Sequence, residues 1–176
     1  FMKGDFWSGN HWHEIFLAYP ADKKTTLPDP DSMTSLKDKT KAIDFSFPGI
    51  DGKKVSLSDP KFDDKVVMIQ VLGTWCPNCM DETAFYVDLH QQYQKDGLEI
   101  IALAYERSDD IDEMRPHLAR YQKHFGINYD ILLAGKASKK VASESLPMLS
   151  EIKSFPTTIF IDRKGKVQKI HTGFSG

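Results

Sequence analysis

The stretch "GTWCPNCMDE", residues 73–82, holds both cysteines of the chain and follows directly on the apolar run "KVVMIQVL" at 65–72. That run is nearly continuous and rich in β-branched residues, the pattern of a central strand buried on both faces. The segment after it, 77–95, reads as a helix, and Pro77 suits its first turn, where a missing N–H costs nothing. Cys76 therefore falls at a helix N-terminus, where free N–H groups and the helix dipole favour a thiolate. In such a C-x-x-C setting a cysteine pKa drops from about 8.5 into a range of roughly 3.5–7.5. Cys79 lies three residues on, one turn deeper on the same face. That separation permits a disulfide, with the outer sulfur as attacker and the inner one as resolver.

Outward from this motif the chain alternates strands and helices. Strands are expected at 98–105, 129–134 and 157–162, with 157–162 forming a closing hairpin with 167–171 across "RKGK". Helices are expected at 109–125, kinked or broken in two by Pro116, and at 138–146. Before the first core strand, "IDFSFPGIDGKKVSL" carries a hairpin signal around "DGKK". The pattern predicts an α/β fold with a mixed central sheet flanked by helices. Residues 1–19 are aromatic-rich, with a strand at "HWHEIFLAY", and read as the tail of an upstream module that must pack on something else. Residues 20–42 are polar and proline-rich and read as a linker. The main domain is taken as 43–176, ending without a final helix, as though truncated.

Composition narrows the function classes. The chain has 176 residues, 40% hydrophobic and 27% charged, with a formal net charge of −2 and no basic block. Bulk electrostatics therefore gives no basis for binding nucleic acid or a membrane surface. No apolar run approaches the ~20 residues that span a bilayer. Two cysteines make no disulfide scaffold.

Glu82 is the next informative position. Cys79, Tyr86, Leu89 and Tyr93 recur at helical spacing and mark an inward stripe, and Glu82 falls on it. A carboxylate there either swings out, to meet a lysine such as Lys65, or sits partly buried with a raised pKa. In the second case it can accept the proton of Cys79. Pro156, in "SFPTTIFID", precedes the last long strand and reads from sequence as a turn proline, with a cis bond open. Metal sites compete with the redox reading. Structural zinc wants two ligand pairs, and there is no second C-x-x-C. His11 and His13 form an H-x-H pattern, and copper binding by the cysteine pair stays open.

"WCPNC" after a buried strand, Glu82 three residues past the second cysteine and "FPTTIFID" about eighty residues later together resemble the thioredoxin superfamily. The closer likeness is to its TlpA/ResA-like thiol–disulfide oxidoreductases, over about residues 42–171. The resemblance implies a thioredoxin-like fold with an N-terminal hairpin and an inserted strand–helix element. It implies Cys76 as nucleophile, Cys79 as resolving thiol and Glu82 as the acid that tunes them, with Trp75, Pro77 and Asn78 flanking the site. Pro156 matches a cis-proline loop, and Phe155 and Thr157 would line the substrate groove with it. The electrons would be carried by the Cys76–Cys79 pair with no bound cofactor and no metal. Partners would be protein thiols or disulfides and an upstream electron donor. The setting would be the periplasm or cell envelope, with a membrane anchor outside this stretch, and a role as reductant, in some members for cytochrome c maturation. Peroxiredoxin-like peroxidases share the fold, but their threonine stands three residues before the reactive cysteine, whereas Thr74 stands two before Cys76. A copper- or haem-delivery accessory module would use the Cys76 and Cys79 thiols as ligands, but copper chaperones on this fold space their cysteines more widely and add a histidine near the closing hairpin, where His171 lies.

Overall fold

The strand that ends at the cysteine motif is the middle of the molecule. In the computed structural model, which describes residues 1–8, 12–20 and 28–174, a five-stranded sheet runs in the order β7-β6-β5-β8-β9. Its strands are β5 (Val66–Leu72), β6 (Leu98–Glu106), β7 (Asp130–Lys136), β8 (Thr157–Ile161) and β9 (Val167–Thr172). The first three are parallel, and β8 and β9 each run antiparallel to the strand before them in the sheet. β5 is buried along almost its whole length, which explains its unbroken apolar character.

Two apolar layers sandwich this sheet. One holds Met68, Leu72, Cys79, Tyr86 and Val87 with Met114 and Leu118, under helices α1 (Pro77–Tyr93) and α2 (Ile111–Phe125). The other holds Val67, Ile69 and Val71 with Ile43, Phe45 and Leu146, under α3 (Lys139–Ser145) and the hairpin of β3 (Ser46–Pro48) and β4 (Lys54–Ser56). α2 is a single helix through Pro116, not two. The proline falls in its second turn and forgoes one backbone bond there. Asp110 caps the helix by accepting from Asp112 N at 2.8 Å, and Gly126 closes it at φ 66°. Among the described residues no helix is long and apolar enough to cross a membrane.

The stripe on α1 differs from the expected one. Cys79, Glu82, Thr83, Tyr86, Val87 and His90 point inward, whereas Leu89 is half-buried and Tyr93 is exposed. The sheet lies under a face shifted toward Thr83, Val87 and His90, and Tyr93 falls off its end.

The first two strands, β1 (Met2–Ser8) and β2 (Trp12–Ala18), pair antiparallel as a separate hairpin. Phe6, Trp7, Ile15 and Leu17 on it are exposed. The H-x-H pattern rests partly on His11, outside the described residues; His13 bonds Asp5 Oδ1 at 2.7 Å and stacks on Trp7. Of the stretch read as a linker, 21–27 lie outside the described residues. From Pro30 onward the chain is fastened to the domain. Thr172 N donates to Pro30 O at 3.0 Å, Thr34 Oγ1 donates to Glu151 O at 2.9 Å, and Leu36 bridges to Leu149. Packed structure thus begins ahead of Ile43, in an arm over the edge of β9.

Candidate active site

β5 delivers the chain to the carboxyl edge of the sheet, and α1 begins there. Cys76 is the N-cap residue, with extended backbone at φ −99°, and Pro77 is the first residue of the helix. Both cysteines are buried and unlinked. The Cys76 Sγ donates to Phe155 O at 3.7 Å, so the loop before β8 faces the outer sulfur directly. The Phe155–Pro156 bond is cis. Trp75 covers the flank: its Nε1 donates to Tyr105 O at 2.9 Å, and its ring meets Phe155 edge-on at 5.5 Å.

The two thiols differ in proton affinity. The Cys76 pKa is drawn down to about 7, first by the hydrogen bond from the Cys79 side chain and then by the backbone N–H groups of Cys79 and Asn78, against burial and the Glu82 charge. Cys79 is pushed up, first by that same bond to Cys76 and then by burial.

Glu82 lies inside, 1% exposed, rather than at the surface with Lys65. Gln70 Nε2 donates to its Oε2 at 2.9 Å, while Thr158 Oγ1 and Tyr86 OH reach its Oε1 at 3.0 and 3.2 Å. Burial raises its pKa, and these three hydrogen bonds work against that rise. Thr83 extends the network, taking bonds from Gln70 Nε2 at 3.2 Å and Tyr121 OH at 2.8 Å. Three elements thus hold a carboxyl group one turn beneath Cys79.

The remaining expected residues divide. Asn78 and Pro77 are exposed at the mouth, Phe155 is half-buried and Pro156 buried beside Cys76. Thr157 is fully buried, and its hydroxyl donates to Ser154 O at 2.8 Å. Its side chain is therefore turned into the fold and does not line the groove, because residue 157 points to the opposite sheet face from Thr158. His171 bonds Asp31 at 2.6 Å through Nδ1.

Sequence reasoning passed over Gln70, Thr158 and Glu106. Gln70 carried a signal, as the one polar side chain in an apolar strand. Glu106, at the end of β6, accepts from Thr74 N at 2.9 Å and Thr74 Oγ1 at 2.7 Å and so fixes the turn before the cysteines. Beside it a cavity of about 1200 Å³ opens next to Trp75 and Met80, bounded by Glu106, Arg120, Tyr121 and Phe125.

The family model described as the AhpC/TSA family matches residues 39–170. The chain is 30% identical over 132 residues to the thiol–disulfide oxidoreductase ResA of Geobacillus thermodenitrificans, covering 75% of this chain and 67% of that protein. It is 27% identical to ResA of Bacillus subtilis, covering 79% and 69%. Among solved structures, a thioredoxin-family thiol:disulfide interchange protein from Chlorobium tepidum superposes with TM-score 0.60 at 22% identity, covering 87% and 91%. A secreted thiol–disulfide isomerase from Corynebacterium glutamicum superposes with TM-score 0.63 at 20% identity, covering 84% and 87%.

Proposed function

The chain belongs to the AhpC/TSA family and is a thioredoxin-like protein disulfide oxidoreductase of the TlpA/ResA-like kind, and from that premise we propose that it reduces partner disulfides through a mixed disulfide on Cys76. The observation that carries this reading is the unequal pair. Cys76, at the helix N-cap with its pKa near 7, is a ready nucleophile at neutral pH, and Cys79 behind it keeps its proton.

The reaction runs in two exchanges. The Cys76 thiolate attacks one sulfur of the partner disulfide, the other partner sulfur leaves as a thiolate, and Cys76 is joined to the partner. The bond that raised Cys79 most was the one to the Cys76 sulfur; once Cys76 is in a disulfide, burial and the Glu82 charge remain. Cys79 then gives its proton to the Glu82 carboxylate, attacks the Cys76 sulfur and releases the partner as a second thiolate. Two electrons have passed to the partner, and a dithiol donor must restore the Cys76–Cys79 pair. The pair itself carries the electrons, so no bound cofactor enters the cycle.

Phe155 and Pro156, against Cys76, form the groove in which an extended partner segment lies, using backbone groups as in strand addition. The cell envelope is the setting we favour, with cytochrome c maturation as one candidate pathway, on the strength of the family resemblance.

Two measurements test this. Cys79→Ser should trap a Cys76-linked adduct with a disulfide substrate, whereas Cys76→Ser should trap none. The reduction potential of the pair, read in thiol redox buffers by Trp75 fluorescence, should fall near or below about −250 mV, close to thioredoxin. A value near about −120 mV would make the protein an oxidant, and the absence of any reversible transition would remove the oxidoreductase reading.

A further inference from the structure

Gln70, Thr158 and His171 stand abreast on β5, β8 and β9. Gln70 is paired with Thr158, and Thr158 with His171. Residues directly opposed on neighbouring strands project to the same face, about 4.5–5.5 Å apart at Cβ. Here that face is the one covered by α1. The first two members of the row are fully buried, and both donate to Glu82. The third lies on the outer strand with its side chain 29% exposed.

His171 is held there. Its Nδ1 is 2.6 Å from Asp31 Oδ1, and Lys169 Nζ sits 2.8 Å from Asp31 Oδ2. Asp31 belongs to the arm that crosses the edge of β9. The charged or titratable groups along this row are thus Asp31 from the arm, Lys169 from its own strand, and Glu82 and Tyr86 from α1, which both bond Thr158, the strand neighbour of His171. Every hydrogen-bond partner of Glu82 is itself buried. The row ending at His171 therefore leads from the carboxyl to a residue that water reaches. A protonated His171 would act at Glu82 in the direction of the carboxylate, against burial and as the smallest of the contributions there.

We propose that His171, fixed by Asp31 at the open end of the row that reaches Glu82, is a positioning residue for the thiol step: an imidazolium there eases the release by Glu82 of the proton it takes from Cys79. The inference rests on the reading of Glu82 as that acceptor.

Ellman's reagent tests both levels in one trace. Attack by Cys76 releases a first thionitrobenzoate, and attack by Cys79 on the resulting mixed disulfide releases a second. Stopped-flow at pH 5–9 gives the profile of each phase, and an intact first phase shows that Cys76 and its surroundings are preserved. Glu82→Gln should slow the second phase about tenfold or more. His171→Gln should move the midpoint of the second phase upward by about half a pH unit or more, because a carboxyl that loses a nearby cation keeps its proton longer. His171→Lys, which holds a cation at the same place throughout this range, should leave the midpoint at the wild-type value or below it. A second phase in His171→Gln that superimposes on wild type while Glu82→Gln is slow would overturn the inference and leave the Glu82 reading standing. His171→Lys behaving like His171→Gln would also overturn it. Glu82→Gln as fast as wild type would overturn both. Should His171→Gln lose the first phase, His171→Asn takes its place.

Discussion

Gln70 and Glu82 meet side chain to side chain, the amide Nε2 donating to the carboxyl Oε2 over 2.9 Å with both residues buried. The contact ties the strand that leads into the cysteine motif to the helix that the motif opens. It also keeps a group that prefers water inside the fold, and that has a measurable thermodynamic consequence.

Burial raises the Glu82 pKa in the folded state. The native protein therefore holds a proton that the unfolded chain releases near pH 4.3. Stability is full below that value and falls as pH rises through the raised native pKa, by up to about 1.4 kcal/mol per unit. Glu82→Gln keeps an acceptor for Gln70 and cannot ionise, so it should remove this slope and stabilise the reduced protein at neutral pH. Urea unfolding at intervals from pH 4.5 to 8 checks it; an unchanged slope in the variant would show that Glu82 is not the group responsible.

Cys76 offers a direct titration. Its alkylation by iodoacetamide, followed by mass spectrometry, should show a midpoint near 7, with Cys79 unreactive over the same range. The largest contribution to that lowering is the hydrogen bond from Cys79. Cys79→Ala should therefore move the midpoint up toward the ordinary thiol value of about 8.5. If the midpoint stayed near 7, the helix N-terminus alone would be setting it.

Most of the sheet and the cysteine site were legible in the sequence, for identifiable reasons. β5 and β6 are buried on both faces and so read as apolar runs, and the C-x-x-C motif falls where such a strand meets a proline-started helix. The three-residue spacing to Cys79 put Glu82 on the inward stripe but left open a turn outward to Lys65, and burial at 1% exposure decides it. What surrounds that carboxyl was not legible, because Gln70, Thr158 and Glu82 are 12 and 76 residues apart and meet only through strand register. Thr157 and Thr158 are neighbours in sequence and face opposite sides of the sheet, so only register could say which one reaches the site. The arm at 30–37 was hidden by its polar, proline-rich composition. It is fastened mainly by hydrogen bonds and a single leucine bridge, which leave no periodic apolar pattern.

Gly73 leaves room for Trp75. A Cβ built on Gly73 would stand 2.3 Å from Trp75 Nε1 and 2.5 Å from its Cε2, closer than any relaxed contact allows. Gly73→Ala should displace the indole, break its bond to Tyr105 O and cost about 1–3 kcal/mol. It should also lower the rate of the first exchange, since Trp75 flanks Cys76. Trp75 emission, against a variant lacking Trp7 and Trp12, reports the displacement; an unchanged spectrum with unchanged activity would mean that the indole shifts at no cost.

The arm makes the last prediction. Thr34 is 1% exposed, and its hydroxyl donates to Glu151 O at 2.9 Å. Thr34→Val keeps the shape and removes the donor, leaving a carbonyl without its partner, and should cost about 1–2 kcal/mol. Thr40→Val removes a shorter bond, 2.6 Å to Asp38, but at the surface and within one turn, and should change stability by less than about 0.5 kcal/mol. Leu36→Ala keeps the backbone bridge to Leu149 but strips the arm's apolar packing against the core layer that holds it. Combined with Thr34→Val it should be less than additive, because either change alone loosens the same short segment. Thermal unfolding of the four variants measures this directly. Strict additivity would mean that the arm is held at independent points, and the fastening of Asp31 against His171 would then survive the loss of Thr34.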